Sequence, residues 1–177
     1  MDEQQRFAEL YRAYHPQILR YLRRRLPAED QVEDVCADVF VKAWRSLGQL
    51  RAKDRPVPWL YGIARHQLAD HLRRIEQAHQ TQDLLTAAWH EAMERSAEEG
   101  ALDRVHAYRA LAALAAGDRE ALMLTTWDGL APADAAQVAG CSKAAFVVRL
   151  HRARRRLSQQ LSRLDAHATR PERTPAP

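Results

Sequence analysis

Glycine and cysteine are scarce in this chain, numbering 6 and 2 among 177 residues, and runs of β-branched residues are nearly missing. So little glycine leaves no glycine-rich loop to cradle a phosphate, and no nucleophile elbow or pocketed carboxylate pair accompanies it. An enzyme is therefore not expected. No apolar run reaches the roughly 18 residues of a membrane helix, and the N-terminus is charged rather than signal-like. The sequence thus reads as a cytoplasmic protein without membrane insertion. Cys36 and Cys141 lie far apart and lack metal-site or redox spacing, so both read as small buried hydrophobes. His66 and His71 are five apart, which does not place them on one helix face, and no His-Glu-x-x-His pattern occurs. No metal and no cofactor are expected.

What is abundant is Ala, Leu, Arg, Glu and Gln, the composition of an all-α protein. The net charge of +4 conceals a pattern. Residues 1–75 hold 14 Lys and Arg against 10 Asp and Glu; residues 76–103 hold 1 against 7; residues 104–177 hold 12 against 6. Two basic helical domains, 1–75 and 104–164, are thus expected on either side of an acidic linker, 76–103. The proline-bearing end, 165–177, reads as a disordered tail. Basic modules suit a polyanionic partner, and an acidic tether between them would avoid it.

The stretch "GCSKAAFVVRLHRARRRL", residues 140–157, carries the most specific local signal. Gly140 suits the positive φ of a sharp inter-helix turn, and Ser142 is placed to cap the next helix. Pro132 suits the first turn of a short preceding helix whose packing face is Ala135, Ala136 and Val138. After the turn, Phe146, Leu150, Ala153 and Leu157 form a buried stripe. Short helix, turn and long basic helix make a helix-turn-helix. An earlier helix is expected from Asp118, as N-cap, to Trp127, closed by Asp128-Gly129, and another over residues 108–116 presenting Leu111 and Leu114. Val147, Val148, His151 and Arg152 then face outward where bases would be read, while Arg154, Arg155 and Arg156 suit phosphates.

In the first domain, Phe7, Leu10, Tyr11, Tyr14, Ile18, Leu22 and Leu26 trace an amphipathic stripe with a local kink at Pro16. In "EDVCADVFVKAWRSL", Val32, Val35, Cys36, Val39, Ala43, Trp44 and Leu47 share the core face. Asp34, Ala37, Asp38 and Val41 form an acidic stripe on the other. In "VPWLYGIARHQLADHLRRI", Trp59, Ile63, Leu68 and Leu72 suit the core or its edge. Arg65, His66, Gln67, Ala69 and Asp70 lie on a more exposed side, and aromatics beside arginines suit unpaired bases.

These motif sets, in this order over roughly residues 7–160, resemble the extracytoplasmic-function (ECF) group of bacterial RNA polymerase sigma factors. "RLHRAR", residues 149–154, matches the habit of its promoter-reading C-terminal domain. The resemblance implies contact with the upstream, minus-thirty-five element through Ser142, Lys143, Val147, Val148, Arg149, His151, Arg152, Arg154, Arg155 and Arg156. It assigns the downstream, minus-ten element to the loop 48–57 and to Trp59, Arg65, His66, Gln67, Ala69, Asp70, Arg73 and Arg74. It assigns docking on core RNA polymerase to Asp34, Ala37, Asp38, Val41 and Arg45. The partners it implies are core polymerase, promoter DNA and an anti-sigma factor. Departures are informative. Ala37 stands where the group usually has glutamine, His66 where it often has asparagine, Phe146 where it has valine, and Ala135 and Ala139 where it commonly has isoleucine and leucine. Val147 and Val148 replace positions often polar, which favours contact with thymine methyl groups.

Two other readings compete on the residues alone. An autonomous helix-turn-helix regulator with a sensing or dimerising N-terminal domain would bind paired half-sites without polymerase. A helical protein-interaction bundle would bind DNA weakly and with little salt dependence.

Overall fold

The computed structural model describes residues 2–26, 28–50, 55–79 and 102–168, with side chains described for all but 76–79, 102–105 and 165–168. Most of the linker expected at 76–103, residues 51–54 of the loop 48–57, and the expected tail from 169 onward lie outside the described residues, while residues 165–168, expected to begin that disordered tail, continue the last helix. Every regular element among those described is helical.

The N-terminal module is three helices packed on one another: α1 (Glu3–Arg23), α2 (Glu29–Arg45) and α3 (Pro56–His79). Helix α1 runs on with Pro16 inside it and buries Leu10, Ile18, Tyr21 and Leu22. Helix α2 has Glu29 and Asp30 in its first turn and Lys42 and Arg45 in its last, charges that suit the helix dipole at both ends. It buries Val32, Val35, Cys36, Val39, Phe40 and Ala43. Trp44, expected in that stripe, is instead 41% exposed and sets its ring edge-on to Phe7 at 5.0 Å. Its position on α2 falls between the core face and the solvent face, and the partner ring shields only one side. A 3-10 turn, Leu47–Gln49, follows and buries Leu47; the Arg6 guanidinium ties it down by donating to the Leu50 carbonyl at 3.1 Å. Leu60, Tyr61, Ala64 and Leu68 are the contribution of α3 to this core.

The C-terminal module begins with α4 (Leu102–Ala112) and α5 (Ala116–Leu122), the latter passing directly into a π-helical turn, Met123–Trp127. Helix α4 stops short of the expected Ala116. Its terminal carbonyls are satisfied from outside: Arg119 donates to the carbonyls of Leu111, Ala112 and Leu114 at 3.1, 2.9 and 3.0 Å. Nor is Asp118 the N-cap of the next helix. That helix starts at Ala116, and Asp118 sits buried in its first turn, ion-paired with Arg156 of the last helix. A partner 38 residues away has drawn the carboxylate from the cap into the packing surface. The helix-turn-helix itself follows the sequence. Pro132 opens α6 (Pro132–Val138), Gly140 turns with φ +69°, and α7 (Lys143–Ala168) starts with the Ser142 hydroxyl accepting from the Ala145 N–H at 3.2 Å. Phe146, Leu150 and Ala153 are buried against Ala135, Ala136 and Val138 in one core.

The two modules touch. Helix α3 packs on α6, and Tyr21 and Leu68 share a continuous apolar core with Leu122 and Met123.

Candidate nucleic-acid interfaces

Helix α7 divides cleanly. With Phe146 and Ala153 at 0% exposure and Leu150 at 4%, the residues one and two positions on are turned to solvent: Val147 is 45% and Val148 50% exposed. Two branched apolar side chains thus stand side by side in water near the start of the helix. His151, Arg152, Arg154 and Arg155 continue the exposed face, and Ser142 and Lys143 begin it. Two residues of the expected set depart from it. Arg149 is half-buried and runs along α5, where its guanidinium lies 3.9 Å from the place a Cβ on Gly117 would occupy. Arg156 is exposed but engaged by Asp118.

On α3, Arg65, His66, Asp70, Arg73 and Arg74 are exposed, Gln67 and Ala69 are half-buried, and Trp59 packs partly buried against the core. Arg73 is paired with Asp70 one turn before it. On α2, Asp34, Ala37, Asp38, Val41 and Arg45 all lie on the solvent face, Val41 at 48%. The structure joins this acidic stripe to the α3 set: Asp38, Val41 and Arg45 share one shallow depression with Gln67, Asp70 and Arg74. His71, on the same helix, has a buried Nε2 without a hydrogen-bond partner. Burial, with Arg74 adding to it, holds its imidazole below the ordinary value, against the opposite pull of Asp34 and Asp38. Burial pushes the Cys36 thiol up to about 11, which leaves it protonated and inert at neutral pH.

Sequence reasoning missed the polar contacts between the modules. Arg25, in the turn after α1, is 4% exposed. It donates to Glu120 at 3.1 and 3.2 Å, to Asp128 at 2.9 Å and to the Tyr21 carbonyl at 2.9 Å. Its guanidinium stacks 3.7 Å from the Tyr21 ring centroid. Arg24 donates to Asp128 at 3.0 Å and to the Trp127 carbonyl at 2.6 Å, and Arg55 to Asp134 at 2.6 Å. Burial works against the Arg25 charge, and the carboxylates of Glu120 and Asp128 overcome it, so the guanidinium is held above its ordinary value. Apart from the Tyr21 carbonyl, these partners lie 79 to 104 residues apart in sequence, and no local signal points to them.

Among the described residues, no helix is long and apolar enough to cross a membrane, and no three His, Cys, Asp or Glu residues are grouped to hold a metal ion. Comparison with known proteins gives a consistent picture. Residues 10–78 match sigma-70 region 2, and residues 105–157 match sigma-70 region 4. The ECF RNA polymerase sigma factor SigC of Mycobacterium tuberculosis is 34% identical over 128 residues, which cover 69% of this chain and 65% of SigC. The chain thus spans just under two thirds of that relative's length. The RNA polymerase sigma factor CnrH of Cupriavidus metallidurans is 34% identical over 143 residues, covering 75% of this chain and 74% of CnrH. The structure of CnrH in complex with the cytosolic domain of CnrY superposes with a TM-score of 0.64 at 26% identity, over 92% of this chain and 90% of that one. The fold also matches the sigma factor RpoE of Bartonella quintana, solved with the anti-sigma factor NepR, at a TM-score of 0.60 and 23% identity over 90% and 96% of the two chains. With both sigma-70 regions in order on one helical chain, the protein belongs to the extracytoplasmic-function group of sigma-70 RNA polymerase sigma factors.

Proposed function

We propose that this chain directs promoter-specific transcription initiation as a sigma subunit of RNA polymerase, in the cytoplasm and without catalysis of its own. Its family is one of DNA-binding initiation factors rather than enzymes. In this reading residues 1–75 form the region 2 domain, 104–164 the region 4 domain, and 76–103 their tether. Core polymerase docks on Asp34, Ala37, Asp38, Val41 and Arg45. The exposed side of α3, from Arg65 to Arg74, holds the opened downstream element. The outward face of α7 reads the upstream element in the major groove, Val147 and Val148 against methyl groups, His151 and Arg152 on base edges, and Arg154 and Arg155 on phosphates. Arg156 joins them only after leaving Asp118, and Arg149 only after swinging away from α5. An anti-sigma factor is a further proposed partner, since a protein of the same fold is solved with one.

The observation that carries this reading is the division of α7. One face is sealed in the core by Phe146, Leu150 and Ala153, and the other presents two bare valines in a field of arginines. The test is to mix the purified protein with core polymerase and a random promoter library and to sequence the transcripts. Discrete starts preceded by two spaced motifs are expected. Starts no different from core polymerase alone, with a control sigma factor active on the same core, would overturn the reading.

A further inference from the structure

From Lys143 to Leu164 helix α7 carries no aspartate or glutamate, while it holds seven lysines and arginines. Its charge complements a polyanion along that whole length.

Within this basic field the first two turns are apolar. Ala144, Ala145, Val147 and Val148 are all exposed. At about 100° per residue, Ala144 and Val148 fall one turn apart near the centre of the outward face, opposite the buried Phe146 and Leu150, and Ala145 and Val147 flank them. Ala144, Ala145 and Val148 line one open depression with Arg149, Arg152 and Arg156. Arginines thus border the apolar patch on its C-terminal side.

No outward hydrogen-bonding side chain interrupts the patch. Lys143 stands before it and His151 after it, and Arg149, the single polar side chain between those two, is half-buried along α5. The Ser142 hydroxyl is occupied at the helix start, accepting from the Ala145 N–H.

A basic helix with such a patch can recognise little else in a duplex than one group. The major-groove edges of adenine, guanine and cytosine present donors and acceptors, which alanine and valine cannot meet; the apolar group there is the 5-methyl of thymine. A methyl group on C5 of cytosine occupies the same place on the pyrimidine ring. Its neighbour on the ring is an amino donor where thymine has a carbonyl acceptor, a difference that a polar side chain detects and a valine does not. The patch is therefore sensitive to the methyl group and indifferent to the base that bears it.

We propose that Ala144, Ala145, Val147 and Val148 form a reader of pyrimidine 5-methyl groups, so that 5-methylcytosine substitutes for thymine within the upstream element. The proposal rests on the reading of α7 as the helix that meets that element, and it adds a chemical mark on the DNA as a determinant of site strength. Burial of one methyl-sized group is worth about fourfold in affinity, or about 0.8 kcal/mol. Two such contacts, one for each valine, are worth about fifteenfold.

The test begins with selection from short random-sequence DNA duplexes by the full-length chain, alone and assembled with core polymerase. The selected duplex is then remade with deoxyuridine for thymine, and with cytosine or 5-methylcytosine for thymine opposite guanine. Deoxyuridine is expected to lower affinity by about fourfold or more, cytosine to lower it likewise, and 5-methylcytosine to restore about fourfold over cytosine. The variant Val147→Ser with Val148→Ser, its helix content checked by circular dichroism, is expected to bind the thymine and deoxyuridine forms equally. Equal affinity of wild type for those two forms overturns the reader, as does a thymine preference that survives the double substitution, or selection of no sequence at all. No gain from 5-methylcytosine over cytosine overturns its equivalence with thymine. The transcription assay judges the sigma assignment separately: a chain that starts transcripts yet ignores the methyl group loses only the reader, and one that reads the methyl group without directing polymerase loses only the sigma assignment.

Discussion

Asp38 on α2 and Arg74 on α3 stand 3.9 Å apart, both more than half exposed, and so bridge the proposed polymerase-docking stripe to the helix proposed to hold the downstream element. An exposed pair of this kind contributes at most about 1 kcal/mol to folding. Reversing one charge therefore separates binding from stability. Asp38→Arg is expected to abolish stable association with core polymerase while shifting the unfolding free energy by less than about 1 kcal/mol. Co-purification with core polymerase, beside a urea melt, checks both halves; full polymerase binding by the variant would remove Asp38 from the docking surface.

Arg152 is exposed on the outward face of α7, whereas Arg149 is half-buried. Arg152→Ala is expected to lose about 1 to 3 kcal/mol of discrimination at one position of the upstream element, the range of a single good base contact. Selection from a randomised site, read by sequencing, would show relaxed preference at that position. Uniform weakening across all sequences would make Arg152 a phosphate contact instead.

Phe146 is wholly buried between the two helices of the helix-turn-helix, facing small Ala135 and Ala136. Phe146→Ala should destabilise the C-terminal domain by about 3 to 5 kcal/mol, because neither alanine can reach into the space left behind. A shift to lower urea midpoint by circular dichroism checks it, and an unchanged midpoint would overturn it.

His71 gives region 2 an acid sensitivity. Its imidazole is held below the ordinary 6.5 by burial and by Arg74, against Asp34 and Asp38, so the unfolded chain takes up the proton first. Stability from this residue is therefore full above 6.5 and falls as pH drops from there through the lowered folded value. Melts at pH 7.5 and 5.5 should show a smaller drop for His71→Gln than for wild type. Equal drops would assign the acid sensitivity elsewhere.

The helices and the recognition turn are legible in the sequence because their causes are local. Gly140 at positive φ, the Ser142 cap, Pro132 at the head of α6 and the periodic stripe of Phe146 and Leu150 each act within a few residues. Where a distant group competes, local reasoning fails. Asp118 has every local credential of an N-cap and is taken instead by Arg156; α4 ends where the Arg119 guanidinium reaches its carbonyls. The outward sets on α2 and α3 follow from helical spacing. The inward turn of Arg149 does not, since nothing in its neighbours announces that region 2 lies on that side.

The π turn at Met123–Trp127 carries a consequence for the length of this segment. The Asp128 N–H donates to the carbonyl of Met123 at 2.9 Å, five residues back rather than four, so the turn holds one residue more than an α-helix would. Each α-helical residue advances about 100° around the axis. The wider turn absorbs that extra residue, so a second one inserted beside Thr126 would rotate everything beyond it by about 100°. Asp128 would then leave Arg24 and Arg25, although both arginines and the carboxylate remained in the chain. Segment length between α5 and Gly129 is thus under a constraint as strict as the identity of the charges themselves.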